Sequence, residues 1–459
     1  MPAKNQAHRK SRRQFLKSSA LLSAGASLFA APAIAKAGGS ANDRIRVAVV
    51  GLGGRGRLAH CPSLLQLAKE NVEIAALSDC DESRMHRAAD LCEEKSGKRP
   101  QLVVDMREIL DDKNIDAVSL ATPNHWHALQ TIWACQAGKD VYVEKPGSYN
   151  ILEGRKMVEA TRKYQRIVQH GTQCRSSANI RQGIEQLKQG VIGRVYMVRG
   201  IAYKYRAGGK HQYGPAPKRM HWDLWVGPAP EARYDKLAIQ RWRFLKAYGN
   251  GEIGDQGVHQ LDIIRWALDL NTHPDIVQSM GGNAFHPTSD EETPGNQLFA
   301  CKYSDRDLIV QFETRDGFTN PEAGMGEKYP FLDHASAVGV IFLGTEGYMI
   351  IPDYSSYYTF LGHQRTPGPT ASAPEASMMN FDLFQNWIGA LRSRNPGDLT
   401  AEIQQGHYSS TLAHLANIAN DTGRTLHFNP KTERFINDAA ADQLLTRDYR
   451  VPYVLPKNV

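Results

Sequence analysis

The sequence predicts an α/β domain with a doubly wound parallel sheet, followed by an α+β domain with a large open, mainly antiparallel sheet. Short β-branched runs alternate with helical periodicity as far as about residue 143, the mark of a buried parallel sheet with helices on both faces. Beyond residue 195, strand-like runs follow one another with few helices between them, which favours antiparallel pairing. The 459 residues, 41% hydrophobic and 22% charged, suffice for two cores of ordinary soluble composition.

In the first domain the expected strands are Ile45 to Val50, Val72 to Leu77, Leu102 to Val104, Ala117 to Ala121 and Val141 to Val143. Between them, helices are expected up to about Lys69, from Glu82 to Glu94, near Arg107 to Leu110 and from His127 to Ala137. A helix from Leu152 to Tyr164 closes this part, setting expected domains at 44–165 and 166–459. The second part opens with a small strand, Ile167 to Gln169, and a helix, Asn179 to Lys188. Its strands are Val195 to Tyr205, Leu298 to Tyr303, Leu308 to Thr314, Val338 to Leu343 and Gly347 to Ile351. Pro367 to Ala376 reads as a Pro/Ala/Ser loop, and helices follow at Phe381 to Arg392 and Gln404 to Asn420.

Ser11-Arg12-Arg13-Gln14-Phe15-Leu16-Lys17, the mild apolar stretch Ser18 to Ala31 and Ala33-Ile34-Ala35 together form a twin-arginine export signal with a small-residue cleavage site. The signal is expected over 1–35, a polar linker over 36–43, and the mature protein outside the cytoplasm, in the periplasm or beyond. The stretch is too short and too interrupted by Gly25 and Pro32 for a stable membrane anchor. Its Lys4, Arg9, Lys10, Arg12, Arg13 and Lys17 face no acid, so cleavage takes the formal charge from +7 to about +1. A nearly neutral mature chain carries no electrostatic signature of nucleic-acid binding. The six cysteines are scattered without Cys-x-x-Cys spacing, and no His, Cys or carboxylate spacing indicates a metal site.

Gly51-Leu52-Gly53-Gly54-Arg55-Gly56 follows the first strand and opens a helix, the context in which backbone N–H groups and a helix N-terminus receive a pyrophosphate. Asp79 ends the second strand, 23 residues beyond Gly56, where a carboxylate accepts from ribose hydroxyls and repels a 2′-phosphate. A Rossmann domain that prefers NAD to NADP is the expectation. Thr122, Pro123, Asn124 and His127 lie past the fourth strand and Glu144 and Lys145 past the fifth, at the strand ends where such sheets bind ligands. Lys145 is placed to polarise a substrate hydroxyl.

In the second domain Gly249 to Gly257 is glycine-rich, and Val258 to Leu268 is helical. Asp255, His259 and Asp262, at i, i+4 and i+7, share a helix face if the helix begins early enough. Carboxylates flanking His259 fix its tautomer and raise its basicity, as a general acid/base requires. Arg199 to Trp242 is rich in Tyr, Trp and Arg, residues that suit a polyhydroxylated ligand but equally make a core or an interface. Arg175, Tyr203, Trp242 and Asp262 are the expected substrate contacts.

The fingerprint at Gly51, the Thr122-Pro123-Asn124 turn, Glu144-Lys145-Pro146 and the Asp255-x-x-x-His259 pair, in that order, resemble the glucose-fructose oxidoreductase, inositol dehydrogenase and MocA (Gfo/Idh/MocA) family from about Asp43 to the C-terminus. The resemblance implies catalytic roles for Lys145, His259 and Asp255, a carbohydrate or cyclitol substrate, and a homodimer or homotetramer assembled through the second sheet. Trp222-Asp223-Leu224-Trp225-Val226-Gly227-Pro228 and Tyr449-Arg450-Val451-Pro452 look like the exported branch, and imply the twin-arginine machinery as a partner. Gly254 to His259 stands in place of the Tyr-Pro-Thr-His arrangement associated with glycoside hydrolase family 109. The long proline-rich arm of exported glucose-fructose oxidoreductase is absent, with only residues 36–43 in its place.

The expected function is hydride transfer between a sugar or cyclitol carbon and a tightly held nicotinamide. Redox-neutral glycoside cleavage through a keto-sugar is the alternative, and a non-catalytic sugar-binding protein the third reading.

Overall fold

A computed structural model describes residues 43–317, 322, 336–372 and 381–459; the expected signal and nearly all of the linker lie outside them. Among the described residues no helix is long and apolar enough to cross a membrane.

The first sheet has six parallel strands, β1 (Ile45–Val50), β2 (Val72–Ser78), β3 (Gln101–Val103), β4 (Ala117–Leu120), β5 (Asp140–Val143) and β6 (Val168–His170), in the order β3-β2-β1-β4-β5-β6. The strand order reverses between β1 and β4, and this is where a ligand crevice forms at the carboxyl ends. β6 carries the sheet past the expected boundary at residue 165. Helices α1 (Cys61–Gln66), α2 (Glu82–Ser96), α3 (Met106–Asp111), α4 (Asn124–Gln136) and α5 (Ile151–Lys163) connect these strands. Asp81 caps α2 by accepting from Ser83 N, and Asn150 caps α5 by accepting from Glu153 N. α4 begins three residues earlier than its periodicity indicates, so His125 and His127 lie inside its first turn.

The ten-stranded second sheet runs β14-β13-β12-β11-β7-β10-β9-β8-β15-β16. Helix α6 (Ala178–Lys188) leads into β7 (Val195–Lys204), α7 (Trp222–Val226), α8 (Lys236–Arg241) and α9 (Val258–Ala267). Strands β8 (Ile276–Gly282), β9 (Asn296–Tyr303), β10 (Leu308–Arg315), β11 (Ser336–Gly344), β12 (Gly347–Ile351), β13 (Tyr357–Leu361) and β14 (Thr366–Ala371) follow. The chain ends with α10 (Phe381–Ser393), α11 (Ile403–Thr422), β15 (Leu426–Asn429), β16 (Arg434–Phe435) and α12 (Ala439–Gln443). β7 and β10 are parallel, within otherwise antiparallel pairing. Alternation along β10 sends Leu308, Val310 and Phe312 into a core shared with α6, α9 and α11. Of the expected loop Pro367 to Ala376, residues 367–371 lie in β14, an edge strand that tolerates proline, and 373–376 lie outside the described residues.

α10 returns to the first domain. Its Phe384 stacks on Tyr142 of β5 at 4.3 Å between ring centroids, and its Trp387 is fully buried there. This helix lies more than two hundred residues from β5 in sequence, so periodicity identifies the helix but not its partner.

Candidate active site

Gly51, at φ +85°, sits so close to β4 that a Cβ would lie 2.7 Å from Ala121 C, and a Cβ on Gly56 would lie 1.9 Å from Gly51 O. Both positions therefore exclude any side chain on packing grounds. Gly54 faces open space, with nothing within 4 Å of where its Cβ would be, and Gly53 meets only Arg84 Nη1 at 3.6 Å. These two glycines leave bare backbone at the head of the helix for a pyrophosphate to approach. Asp79 accepts from Leu52 N at 2.6 Å and from Asp81 N at 2.8 Å, tying the glycine turn to the end of β2. Burial pushes its carboxyl up, against the pull of Arg84 and these two N–H groups. The cleft between these elements is lined by Gly51, Gly53, Gly54, Arg55, Asp79, Thr122 and Pro123 on one side. Bare glycine backbone, a helix head and an acid at the end of β2 fit a dinucleotide.

Behind this wall the remaining predicted residues hold its shape. His127 spans the two loops, with Nδ1 2.6 Å from Pro146 O and Nε2 2.8 Å from Thr122 O. Asn124 donates to Asn250 Oδ1 at 2.9 Å, joining the first domain to the glycine-rich loop of the second. Glu144 accepts from Arg55 at 2.8 Å and lies 3.1 Å from His60 Nε2. Burial opposes its charge, but Arg55 and His60 outweigh it and hold the carboxyl well below the usual range.

Lys145 points across to the second domain, where Nζ donates to Asp255 O at 2.5 Å and Asp255 Oδ1 at 2.8 Å. Arg243 Nε also donates to Asp255 Oδ1 at 3.0 Å, and Arg206 approaches Oδ2 at 3.4 Å. Burial disfavours the charge on Asp255, yet Lys145, Arg243, Arg206 and Lys204 hold it far below an ordinary aspartate. Residues 253–257 form a wide π-type turn ahead of α9, and this turn presents Asp255 to the lysine rather than to the histidine.

His259 is buried, and its Nδ1 meets no hydrogen-bond partner among the described residues. The expectation that flanking carboxylates fix its tautomer and raise its basicity is overturned. Asp255 spends its charge on cations, Asp262 faces elsewhere, and burial together with the neighbouring Lys145 drives the imidazole well below its ordinary pKa. The ring is neutral, and Tyr354 lies 5.4 Å away, centroid to centroid.

The four expected substrate contacts separate. Trp242 lines the cleft, beside Arg243. Arg175 and Asp262 instead close on each other through two bonds of 2.8 and 2.9 Å, both buried, with Ser409 donating to the same carboxylate at 2.7 Å. Tyr203 is fully buried among Ile201, Ala337 and Ile341, and donates to Glu313 at 3.1 Å. Strand alternation explains this, because β7 sends Val198 and Ala202 toward the helices and Tyr203 to the opposite face.

Sequence reasoning missed His60, Asn250, Lys204, Arg206 and Arg243, whose roles depend on distant partners and leave no local spacing signal. It also missed a cluster away from the cleft, where His273 and His407 each place Nε2 2.9 Å from Glu433 Oε1. Arg155 donates to Glu433 Oε2 at 3.0 Å, so a guanidinium already supplies the counter-charge and the group acts as a polar lock.

Comparison with known proteins agrees with this architecture. The profile of the oxidoreductase family's NAD-binding Rossmann fold matches residues 45–172, and that of its C-terminal alpha/beta domain matches 180–305 and 371–455. Myo-inositol 2-dehydrogenase of Thermotoga maritima is 30% identical over 156 residues, 34% of this chain and 44% of the relative. A glycosyl hydrolase family 109 protein of Akkermansia muciniphila is 32% identical over 164 residues, 33% of this chain and 32% of the relative. The chain thus aligns with less than half the length of these curated relatives. The WlbA dehydrogenase of Bordetella pertussis, solved with NADH and UDP-GlcNAcA, shares the fold at a TM-score of 0.61 and 18% identity, over 84% of this chain and 99% of that one. With both domains matched and the glycine cleft in its expected place, the chain belongs to the Gfo/Idh/MocA oxidoreductase family and carries that family's NAD-binding Rossmann fold.

Proposed function

We propose that this protein is an exported oxidoreductase that moves a hydride between a sugar or cyclitol hydroxyl carbon and a nicotinamide it keeps bound. The observation that carries the reading is the Lys145–Asp255 pair with the buried His259 beside it, joined to the dinucleotide cleft through Arg243. Bound nicotinamide supplies the hydride acceptor or donor. Lys145, held by two oxygens of Asp255, presents a fixed positive charge to a substrate oxygen as charge develops there. His259, whose imidazole is kept uncharged by burial and by Lys145, accepts the hydroxyl proton and returns it in the reverse direction. Trp242 and Arg243 offer an aromatic face and a guanidinium to the rest of the sugar.

Lys145→Ala and His259→Ala test this reading: turnover of an oxidisable sugar falls by about 10² or more in each, while bound nucleotide is retained. Undiminished turnover in both variants refutes the assignment.

Export through the twin-arginine pathway to the periplasm rests on Ser11 to Lys17 and the small residues up to Ala35. This route carries folded proteins, so the nicotinamide is loaded before export and recycled in place. Replacing Arg12 and Arg13 by lysine leaves the protein in the cytoplasm if this is right, and fractionation reads the result. The relatives in glycosyl hydrolase family 109 favour redox-neutral glycoside cleavage as the second reading. A released aglycone without net NADH supports it, and a stable keto-sugar supports the first.

The outer face of the second sheet carries Met280, Leu298 and Ile309, 79%, 50% and 44% exposed, with Met280 directly opposite Leu298. Such a patch serves a homo-oligomer interface. Leu298→Glu would then lower the mass measured by sedimentation, and an unchanged mass would count against it.

A further inference from the structure

Two tryptophan- and arginine-bearing motifs stand out in the sequence, Trp222 to Pro228 and Tyr449 to Pro452, and the hydride chemistry uses neither. They meet in the fold. Arg450 donates from Nη1 to Asp223 Oδ1 at 2.5 Å, from Nη2 to Asp223 O at 2.8 Å and from Nε to Gly227 O at 2.9 Å. Tyr453 adds a bond from its hydroxyl to Asp223 Oδ2 at 3.1 Å.

The strap held in this way is docked on the first domain at a telling place. Glu82 N donates to Arg219 O at 3.0 Å and His221 N to Cys80 O at 2.8 Å, an antiparallel bridge on the three residues that directly follow Asp79. A second anchor is Trp126, whose indole N–H donates to Leu224 O at 3.1 Å and Trp225 O at 3.2 Å. Gly227, at φ +50°, lies so close to this indole that a Cβ would come within 2.2 Å of it. The buried Tyr453 ring packs edge-on against Trp126, with centroids 5.3 Å apart. Leu224, Trp225 and Tyr453 thereby face Gly53, Asp79 and Arg84 across the cleft.

We propose that the strap Arg219–Pro228, latched by Arg450 and Tyr453, is the outer wall of the dinucleotide cleft over its adenosine half and sets how long the dinucleotide stays bound. The inference rests on the retained-nicotinamide reading. In the first domain the ribose end of the site is the loop after Asp79, and the strap is bonded to that loop's own backbone. A nucleotide walled in there leaves only when the strap lifts. Lifting breaks four side-chain bonds made by Arg450 and Tyr453, two of them to a carboxylate. The second domain and the C-terminal tail together thus build this wall against the first domain.

Release of NADH measures the wall directly, because Trp126, Trp133, Trp225 and Trp242 line the cleft and pass excitation energy to bound reduced nicotinamide. The full-length protein is loaded with NADH, chased with excess NAD, and followed by loss of this energy transfer. Arg450→Ala is expected to release NADH roughly tenfold faster than the unaltered protein, since interface changes act mainly on dissociation. Asp223→Asn should fall between the two; its side chain is 58% exposed, so it tests the latch even if Arg450→Ala does not fold. Arg162→Ala, which breaks an ion pair with Glu402 elsewhere, keeps the original rate. A release rate within about twofold of the unaltered protein in both latch variants overturns the proposal. The absolute rate of the unaltered protein speaks separately to retention: release within seconds defeats the retained-nicotinamide reading, whereas the ratio of rates judges the wall.

Discussion

Lys145 and Asp255 lie 110 residues apart and belong to different domains, yet the lysine ammonium is held by both the backbone oxygen and the carboxylate of that one aspartate. The backbone bond fixes where the ammonium sits, and the carboxylate offsets its charge. Asp255→Asn separates the two contributions, because the carbonyl remains while the charge disappears. Three further cations, Lys204, Arg206 and Arg243, then crowd the site, with Glu252 paired to the first two. Turnover is expected to fall by about 10²-fold with nucleotide binding largely unchanged, measured by steady-state rates and by nucleotide content. Full activity in this variant would show that the charge of Asp255 is not used.

The acid side of the pH profile follows from His259. Its folded pKa is lowered by burial and by Lys145, so it stays neutral through pH 6.5, where an ordinary histidine takes up a proton. The acidic limb of kcat/KM is therefore displaced below pH 6.5. Stability follows the same sign. His125 and His414 are held down to about 3 and His170 and His273 to about 4, all by burial first. Below pH 6.5 the unfolded chain binds protons that the native chain refuses, so stability is lost as pH falls toward these values. Below about pH 4.5 the unfolded forms of Glu144 and Glu433, whose native carboxyls are held far lower, add to the same loss. Melting temperatures between pH 8 and pH 4 should decline throughout the acid range; a Tm that rises on going from pH 7 to pH 5 contradicts the assignment.

Two glycines of the same motif separate folding from binding. A methyl on Gly56 collides with Gly51 O at 1.9 Å, whereas one on Gly54 meets nothing. Gly56→Ala is expected to lose about 2 kcal/mol or more of stability by forcing the turn apart. Gly54→Ala keeps its Tm and instead weakens dinucleotide binding by about tenfold, because the methyl occupies the approach of the pyrophosphate. Thermal melts and nucleotide titration of both variants decide it, and identical behaviour of the two would remove the distinction.

The order of motifs along the chain is legible because each is local: a strand, a turn and a helix head within a few residues. Gly51, Asp79 and Lys145 sit where strand ends place them. Partnerships are not legible. His60 beneath Glu144, Phe384 on Tyr142 and Arg450 on Asp223 each join residues dozens to hundreds of positions apart, and no periodicity encodes them. The aromatic stretch shows the same limit from the other side. Composition alone groups Tyr203 with Trp242, but one step of strand alternation turns the first away from the helices while the second reaches the cleft.

Arg175 and Asp262 provide the sharpest test of that distinction, since sequence alone places both against substrate. In the fold their side chains are 7% and 1% exposed, and the guanidinium offers its two bonds to one carboxylate that Ser409 also serves. Neither residue lines the cleft, and removing one member strands a buried charge. Arg175→Ala is therefore expected to cost about 3–5 kcal/mol of stability. An apolar replacement of both members restores part of it, because no charge is then left unpaired. The KM for sugar in protein that remains folded should stay close to that of the unaltered enzyme. A large rise in KM with little change in Tm would instead return Arg175 to the substrate site, and denaturant melts run beside steady-state kinetics separate the two outcomes.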